Sequence, residues 1–317
     1  MGQIHDLIET SGKKGALAAT DEPRDVLETA ARYMSDEDHV VGFAYSGWAQ
    51  CALPHRRHPA GEVWEVTNGP TTLLVEPGHI ITDKGAVATS VPFGVYARLI
   101  MLFLQTEAIR TQCRTIELGG SWRAWLERMG ISYGGKTGKR VKEQAELLSR
   151  CRLSFHIQDG NRMGMVNQSI VEGALFLQEP TGNERQSRLS LEVAVLSQPF
   201  FDQLVKHGFP IDEAAIRGLT NNSSAMDAYL WLAYRLHALN APKRVSWAAL
   251  WSQHGRGYKE LRQFKAKFKP VLKLALAVYR EANVEVDEDG IILKPSKSPV
   301  PTQVISLHSR RTASTKK

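Results

Sequence analysis

The sequence has few cysteines, and none of them stands in a metal-binding or redox arrangement. Cys51, Cys113 and Cys151 are an odd number, lie far apart, form no CxxC pair and have no histidine at ligand spacing. This pattern argues against a disulfide framework and against a cysteine-histidine zinc site. We expect all three to be reduced core residues of a cytoplasmic protein.

Long apolar runs are absent too. No stretch reaches the roughly 18 to 20 apolar residues that a membrane-spanning helix needs. The N-terminal residues MGQIHDLIETSGKK lack the basic region and apolar core of a signal peptide. We therefore expect a soluble cytoplasmic protein with no membrane partner.

Several catalytic motifs are missing or stand in the wrong structural context. A strand-nicking enzyme needs a His-x-His pair, but His55 and His58 stand three apart with two arginines between them, which favours a solvated loop over a metal site. The pattern GxxxxGK[ST] occurs at Gly130–Thr137, but it follows a predicted helix and not the buried strand that precedes a phosphate-binding loop. No aromatic RNA-binding strand is evident. We expect a protein that is not an enzyme and uses no cofactor or metal.

Size and charge indicate what is present. The chain has 317 residues, 43% of them hydrophobic, which predicts two domains with packed cores. Its net charge of +7 favours a polyanionic partner such as nucleic acid, although smaller acidic ligands stay open on this evidence.

One sequence pattern occurs twice, at residues 121–160 and 246–290. Each copy has Ser-Trp, then a glycine eight positions after the tryptophan, then cations and an Asp-Gly turn. An apolar helix precedes each copy, at residues 92–111 and 225–239. Two short helices followed by a β-hairpin are typical of a winged-helix domain, so the repeat predicts two DNA-binding modules.

Flanking elements are predicted from turn and capping signals. Asn68-Gly69 between two β-branched runs indicates a hairpin, and Pro23–Met34 has helical periodicity. In the first copy, strands are expected at 113–118, 152–157 and 165–178. A loop is expected at 179–187, followed by a strand at 188–196. Ser121 is expected to cap the first Trp helix, and the tryptophans of both copies are interpreted as core residues.

The second helix of each copy is the predicted DNA-reading helix, Lys139–Cys151 in the first and Tyr258–Glu281 in the second. Pro270 is expected to kink the latter and separate a groove-facing half from a core-facing half. A solvated surface is the alternative interpretation of these cations. The predicted DNA-binding residues are Lys136, Lys139, Arg140, Lys142, Gln144, Arg162, Arg256, Lys259, Arg262, Gln263, Lys265, Lys267 and Lys269.

The expected fold is α+β, with two tandem winged-helix domains, an N-terminal β-rich extension and a disordered basic C-terminal tail. The predicted boundaries are 1–39 for an N-terminal helical or flexible segment, 40–196 for the first domain with its β-hairpin extension, 197–294 for the second domain and 295–317 for the tail.

Three blocks, Gly42–Arg57, Val91–Ile131 and Glu143–Phe155, resemble plasmid-encoded replication initiators of the RepA type. The resemblance covers most of residues 40–290. It implies binding to double-stranded DNA at direct repeats, called iterons, in a plasmid origin of a bacterial cell. It also implies origin opening by monomers, autorepression by a homodimer in equilibrium with monomer, and recruitment of a host replication initiator and helicase.

Two questions stay open at the level of sequence. A winged-helix transcriptional repressor without origin-melting activity would use the same modules. The segment Pro54–Arg57 is either a turn packed beneath the first module or a phosphate contact.

Overall fold

A computed structural model of the protein describes residues 2–119, 121–132, 134–159, 162–168, 170–174 and 192–300. In these residues the chain forms a mixed α/β fold of ten α-helices and five small sheets. The helices are α1 Gly2–Ala19, α2 Arg24–Met34, α3 Gly94–Thr111, α4 Trp122–Arg128, α5 Gly135–Arg150, α6 Gln198–His207, α7 Glu213–Gly218, α8 Ser223–Leu236, α9 Trp247–His254 and α10 Leu261–Ala277. The strands are β1 Val41–Tyr45, β2 Trp64–Asn68, β3 Thr71–Glu76, β4 His79–Thr82, β5 Gly85–Ala88, β6 Thr115–Gly119, β7 Arg152–Asp159, β8 Arg162–Gln168, β9 Val171–Ala174, β10 Glu192–Leu196, β11 Gly208–Asp212, β12 Lys243–Ser246, β13 Val284–Val286 and β14 Gly290–Leu293.

The chain folds into two compact units. Unit 1 contains residues 1–52, 66–72 and 208 onward, and unit 2 contains residues 53–65 and 73–207. This grouping differs from the predicted boundaries at 40 and 197. The reason is a long-range pairing: β1 lies antiparallel to β11, with Val41 opposite Asp212 and Tyr45 opposite Gly208. That pairing joins the N-terminal segment to the C-terminal half of the chain.

Unit 1 is built around α8, in which ten of 14 residues are buried. Asn222 caps this helix by accepting a hydrogen bond from the backbone N–H of Ala225 at 3.0 Å. On α2, Val26, Leu27 and Ala30 are buried, as its periodicity predicted, and the helix packs against α10. The N-terminal helices are therefore part of this core.

A three-stranded antiparallel sheet completes unit 1. Its order is β12-β14-β13, with Leu293 of β14 paired to both Lys243 and Val284. Along the chain the elements follow the order α8, β12, α9, α10, β13, β14. The predicted hairpin after the second basic helix is present.

Unit 2 has α3 at its centre, and ten of the 18 residues of this helix are buried. The helix ends where Gln112 adopts a left-handed conformation with φ of 53°. Next come β6, α4, α5 and the hairpin of β7 and β8, in which Leu153 faces Gln168. α5 packs directly on α3.

The strands of unit 2 are divided differently from the prediction. The segment expected to be one strand at 165–178 contains the end of β8 and all of β9, and β9 pairs with β10. β10 also pairs with β6, so β6 belongs to the sheet β6-β10-β9 and not to the hairpin sheet. The hairpin strands instead join the sheet β2-β3-β7-β8. The loop predicted at 179–187 and the residues 188–191 lie outside the described chain, as does the tail beyond 300.

Local predictions of turns and buried residues are largely confirmed. Gly69 has φ of 56° between β2 and β3. Cys51 and Cys151 are buried, and burial raises the pKa of the Cys151 thiol to about 12. Cys113 is exposed after the end of α3, so its predicted place in the core is wrong. No helix in the described parts of the chain is long and apolar enough to cross a membrane.

Candidate nucleic-acid interface

The two Ser-Trp motifs cap their helices in the same way. Ser121 Oγ accepts a hydrogen bond from the backbone N–H of Ala124 at 3.2 Å, and Ser246 Oγ accepts one from Ala249 at 3.2 Å. Trp125 and Trp247 are buried, at 1% and 2% exposure. Each short helix is thus fixed at its start and packed through a tryptophan, as predicted for a positioning helix.

The glycine eight residues after each first tryptophan serves a different purpose in the two copies. Gly130 has φ of 69°, which favours glycine. Gly255 has φ of −101°, but a Cβ there would lie 1.9 Å from Trp251 Cδ1. The shared spacing therefore reflects backbone conformation in unit 2 and close packing in unit 1.

The predicted reading helix of unit 1 is shorter than expected, beginning at Leu261 and ending at Ala277. In its N-terminal half, residues 261–269, only Phe264 and Phe268 are buried, and their rings stack with centroids 5.0 Å apart. Its C-terminal half, residues 270–277, is buried at most positions. The helix runs through Pro270, which is exposed, and the expected division into two halves is visible in the burial.

The cations of unit 1 divide in the same way. In the C-terminal part, Lys273 pairs with Glu22 at 2.7 Å, and Arg280 pairs with Asp6 at 2.9 Å and with Glu9. In the N-terminal half and the preceding turn, most predicted contact residues are exposed and have no ion pair with another described residue. These are Lys259, Arg262, Gln263, Lys267 and Lys269. Arg256, in the same turn, is also exposed.

Lys265 and Lys269 lie on the flank of α10 that faces Trp247. Their Nζ atoms are 5.6 Å and 5.7 Å from the centre of a Trp247 ring. Lys265 is half-buried and donates to the carbonyl of Glu288 at 3.3 Å. Gln263 and Lys267, four residues apart, share the opposite flank.

The predicted Asp-Gly turn of the second copy joins β13 and β14 and is acidic. Asp287 Oδ1 accepts from the N–H groups of Asp289 and Gly290, at 2.9 Å and 2.8 Å. Arg244 on β12 pairs with Asp287 at 2.8 Å and with Asp289 at 3.3 Å. This hairpin tip presents carboxylates, so it does not resemble a phosphate-binding wing.

The predicted reading helix of unit 2, α5, begins at Gly135 with no acidic residue in its first turn. Lys136, Lys139, Arg140 and Lys142 are exposed on it and form no ion pair with another described residue. The open backbone N–H groups at this end and the nearby cations favour an anion. Arg162 begins β8 opposite Asp159, and its side chain is outside the described part.

Gln144 does not lie with these cations. It is 3% exposed, and its Oε1 accepts a hydrogen bond from the backbone N–H of Phe93 at 2.8 Å. Its predicted role at a base edge is corrected to a structural one. The spacing of Val141, Gln144, Ala145 and Leu148 already places it on the buried stripe of α5.

The segment Pro54–Arg57 is a packed turn in unit 2. Arg98, at 5% exposure, donates to the carbonyls of Leu53 at 2.7 Å and Pro54 at 3.2 Å. The backbone N–H of Gly94 donates to Pro54 at 2.9 Å. Arg57, at the end of this turn, pairs with Glu143 on α5. The turn thus places an arginine against the predicted reading helix.

His55 and His58, the two histidines in and just after the segment Pro54–Arg57, contact other protein groups. His58 Nε2 lies 3.3 Å from the carbonyl oxygen of Val63, and its ring meets Trp64 edge to face. Nδ1 of His55 lies 3.4 Å from the Arg98 guanidinium. Among the residues that the structure describes, no group of three or more potential ligands is placed to hold a metal ion.

One family model and two solved structures resemble this chain. The profile of the family described as "Plasmid encoded RepA protein" matches residues 91–253. The crystal structure of domains 2 and 3 of RctB covers 81% of this chain and 99% of that chain, with 13% identity and a TM-score of 0.54. A second structure of RctB domains 2-3 covers 82% and 98%, with 11% identity and a TM-score of 0.46. No curated protein sequence matches the chain significantly.

Proposed function

The chain belongs to the family of plasmid-encoded RepA proteins, and we propose that it initiates plasmid replication by binding iterons in the origin. The observation that carries this proposal is the division of cations in unit 1. Cations in the C-terminal part of α10 and just beyond it are paired with acids of α1 and of the segment before α2. In its N-terminal half, Arg262, Lys267 and Lys269 are exposed and have no ion pair with a described residue. An open cationic helix face of this kind suits a phosphate backbone.

Both units are proposed to be winged-helix modules. Unit 1 has the full order of helix, strand, two helices and hairpin, with all three strands in one sheet. Unit 2 has the same order along the chain, but β6 pairs with β10 in place of the hairpin. The likeness to the RctB domains supports a shared fold.

Phosphate and base contacts are assigned to the two reading helices. In unit 1, Arg256, Lys259, Lys267 and Lys269 are proposed to bind phosphates, and Arg262, Gln263 and Lys265 to reach base edges. In unit 2, Lys136 and Lys139 at the start of α5 are proposed to bind phosphate, with Arg140 and Lys142 near base edges. Arg162 is proposed to contact DNA from the hairpin of β7 and β8.

Self-association and origin opening are further parts of the proposal. The hairpin of β4 and β5 is exposed, with Ile81 at 81% and Val87 at 52%, and its strands pair with no other described strand. Exposed β-branched strands with open edges favour strand pairing with a second copy. We propose a homodimer in equilibrium with monomer. Monomers open the origin and recruit host replication proteins, and dimers repress the protein's own gene.

The experiment that tests this function uses the DNA beside the gene. Purified protein is titrated onto that DNA, and binding is mapped by nuclease footprinting while melting is followed by permanganate reactivity of thymines. Protected tandem repeats with reactive thymines in an adjacent AT-rich stretch support an initiator. Protection without thymine reactivity would favour a transcriptional repressor, and no specific protection would overturn the proposal.

A further inference from the structure

Arg57 is held in a defined position against α5. Its guanidinium pairs with the carboxylate of Glu143 and lies over the ring of Phe93, with the central carbon 5.0 Å from the ring centroid. The turn that carries it is fixed by the hydrogen bonds of Arg98 and Gly94 to Pro54. The ring contact and the fixed turn together hold the Arg57 guanidinium beside the Glu143 carboxylate.

Glu143 occupies a position on α5 where an acid is unfavourable for DNA binding. Val141, Gln144 and Leu148 are buried, so the opposite side of the helix faces outward. Glu143 lies on that outward side, four residues after Lys139 and seven after Lys136, which places the three side chains in one stripe. A bare carboxylate there would repel the phosphates that the two lysines are proposed to bind.

We propose that Arg57 is a positioning residue of the DNA interface, which neutralises Glu143 and so keeps the outward stripe of α5 attractive to phosphate. This inference rests on the proposed function, because it concerns the same helix. Arginine suits the role because its planar group forms an ion pair and stacks on an aromatic ring at once. Arg57 acts on DNA through Glu143 and needs no phosphate contact of its own.

The test is a double-mutant cycle on the full chain, with binding to an origin fragment measured by fluorescence anisotropy at several salt concentrations. Arg57→Ala exposes the carboxylate and is expected to weaken binding about fourfold, the effect of one charge roughly 5 Å from phosphate in water. Glu143→Gln is expected to bind at least as tightly as the wild type. Arg57→Ala combined with Glu143→Gln is expected to return affinity to within about twofold of the wild type.

Two outcomes overturn the inference. If the double variant binds as weakly as Arg57→Ala and its salt slope is flatter by about 0.9, Arg57 contacts phosphate directly. If all four proteins bind alike, Glu143 does not face the DNA. Circular dichroism and thermal unfolding of each variant exclude loss of folding as the cause.

Two controls separate this inference from the proposed function. Glu172→Gln makes the same charge change on β9, where Glu172 pairs with Arg114 at 2.6 Å, and is expected to leave affinity unchanged. Lys139→Ala with Arg140→Ala removes two proposed contacts and is expected to weaken binding strongly. If that variant binds like the wild type, the function assigned to α5 fails, whatever the result for Arg57.

Discussion

Cations at the two ends of α10 differ in whether an acidic side chain pairs with them. This difference leads to a quantitative prediction about DNA binding. Lys259, in the turn before α10, and Lys267, in its N-terminal half, are exposed and form no ion pair with a described residue. Lys273 and Arg280 are paired with Glu22 and with Asp6 and Glu9. Two double variants each remove two positive charges from the same unit: Lys259→Ala with Lys267→Ala, and Lys273→Ala with Arg280→Ala. The two double variants therefore have equal net charge.

The expected difference follows from counterion release. Each phosphate contact contributes about 0.9 to the slope of log affinity against log salt. At 0.15 M salt, one contact therefore raises the affinity by about 0.7 log units relative to its value at 1 M salt. Loss of two contacts should therefore flatten the slope by about 1.8. Affinity at 0.15 M salt should fall roughly 30-fold, or about 2 kcal/mol. The paired cations contribute no contact, so their removal should leave the slope unchanged.

The assay is fluorescence anisotropy on one origin duplex between 0.1 and about 0.4 M salt, a range in which the slope is linear. Thermal unfolding accompanies it, because surface ion pairs contribute about 0 to 1 kcal/mol each and the paired variant will lose some stability. Equal slopes for the two double variants would refute the reasoning, since net charge alone would then account for binding.

Two further predictions concern stability. Gln144→Ala leaves the partly buried backbone N–H of Phe93 without its acceptor, so it is expected to lower the free energy of unfolding by about 1 to 3 kcal/mol. The salt slope of DNA binding is expected to stay unchanged; urea unfolding measures the first effect and anisotropy the second. The hydrogen bond from Arg217 at 2.8 Å holds the pKa of Asp36 below its usual value, so the pair stabilises the fold above about pH 4 and loses its effect as the pH falls through the lowered pKa. Asp36→Asn is expected to cost about 0.5 to 1 kcal/mol at pH 7, and a difference from the wild type that persists undiminished in acid would contradict this cause.

Features set by a few neighbouring residues could be predicted from the sequence. The Ser121 cap and the Asn68-Gly69 turn depend on local hydrogen bonds and backbone preference, and both are present. The pairing of β1 with β11 spans more than 160 residues, and nothing in either strand specifies its partner. The same applies to β6 and β10, whose pairing places β6 in a different sheet from the hairpin of β7 and β8.

At the candidate site, the sequence shows which residues are charged, but it does not show which of them pair with acids in the folded protein. Lys267 and Lys273 are equivalent in sequence terms, and only folding brings Glu22 to one of them. Gln144 is a different case, because periodicity along α5 was sufficient to place it inside. The amide side chain was interpreted by its chemistry, and its position in the helical repeat was the better guide.

The two hairpins that follow the proposed reading helices differ in the charge of their turns. Beside α10, the turn of Asp287, Glu288 and Asp289 places three acids near the helix, with Lys265 donating to Glu288. A DNA backbone lying along that turn would meet like charge, and Arg244 already pairs with two of the three carboxylates. Electrostatic repulsion therefore favours an approach of phosphate to α10 from the flank of Gln263 and Lys267, away from the turn. In unit 2 the corresponding hairpin has Arg162 opposite Asp159 in the register, so its turn is flanked by one cation and one acid. Each copy of the repeated pattern thus contains one basic helix, and the acids near that helix differ between the two modules.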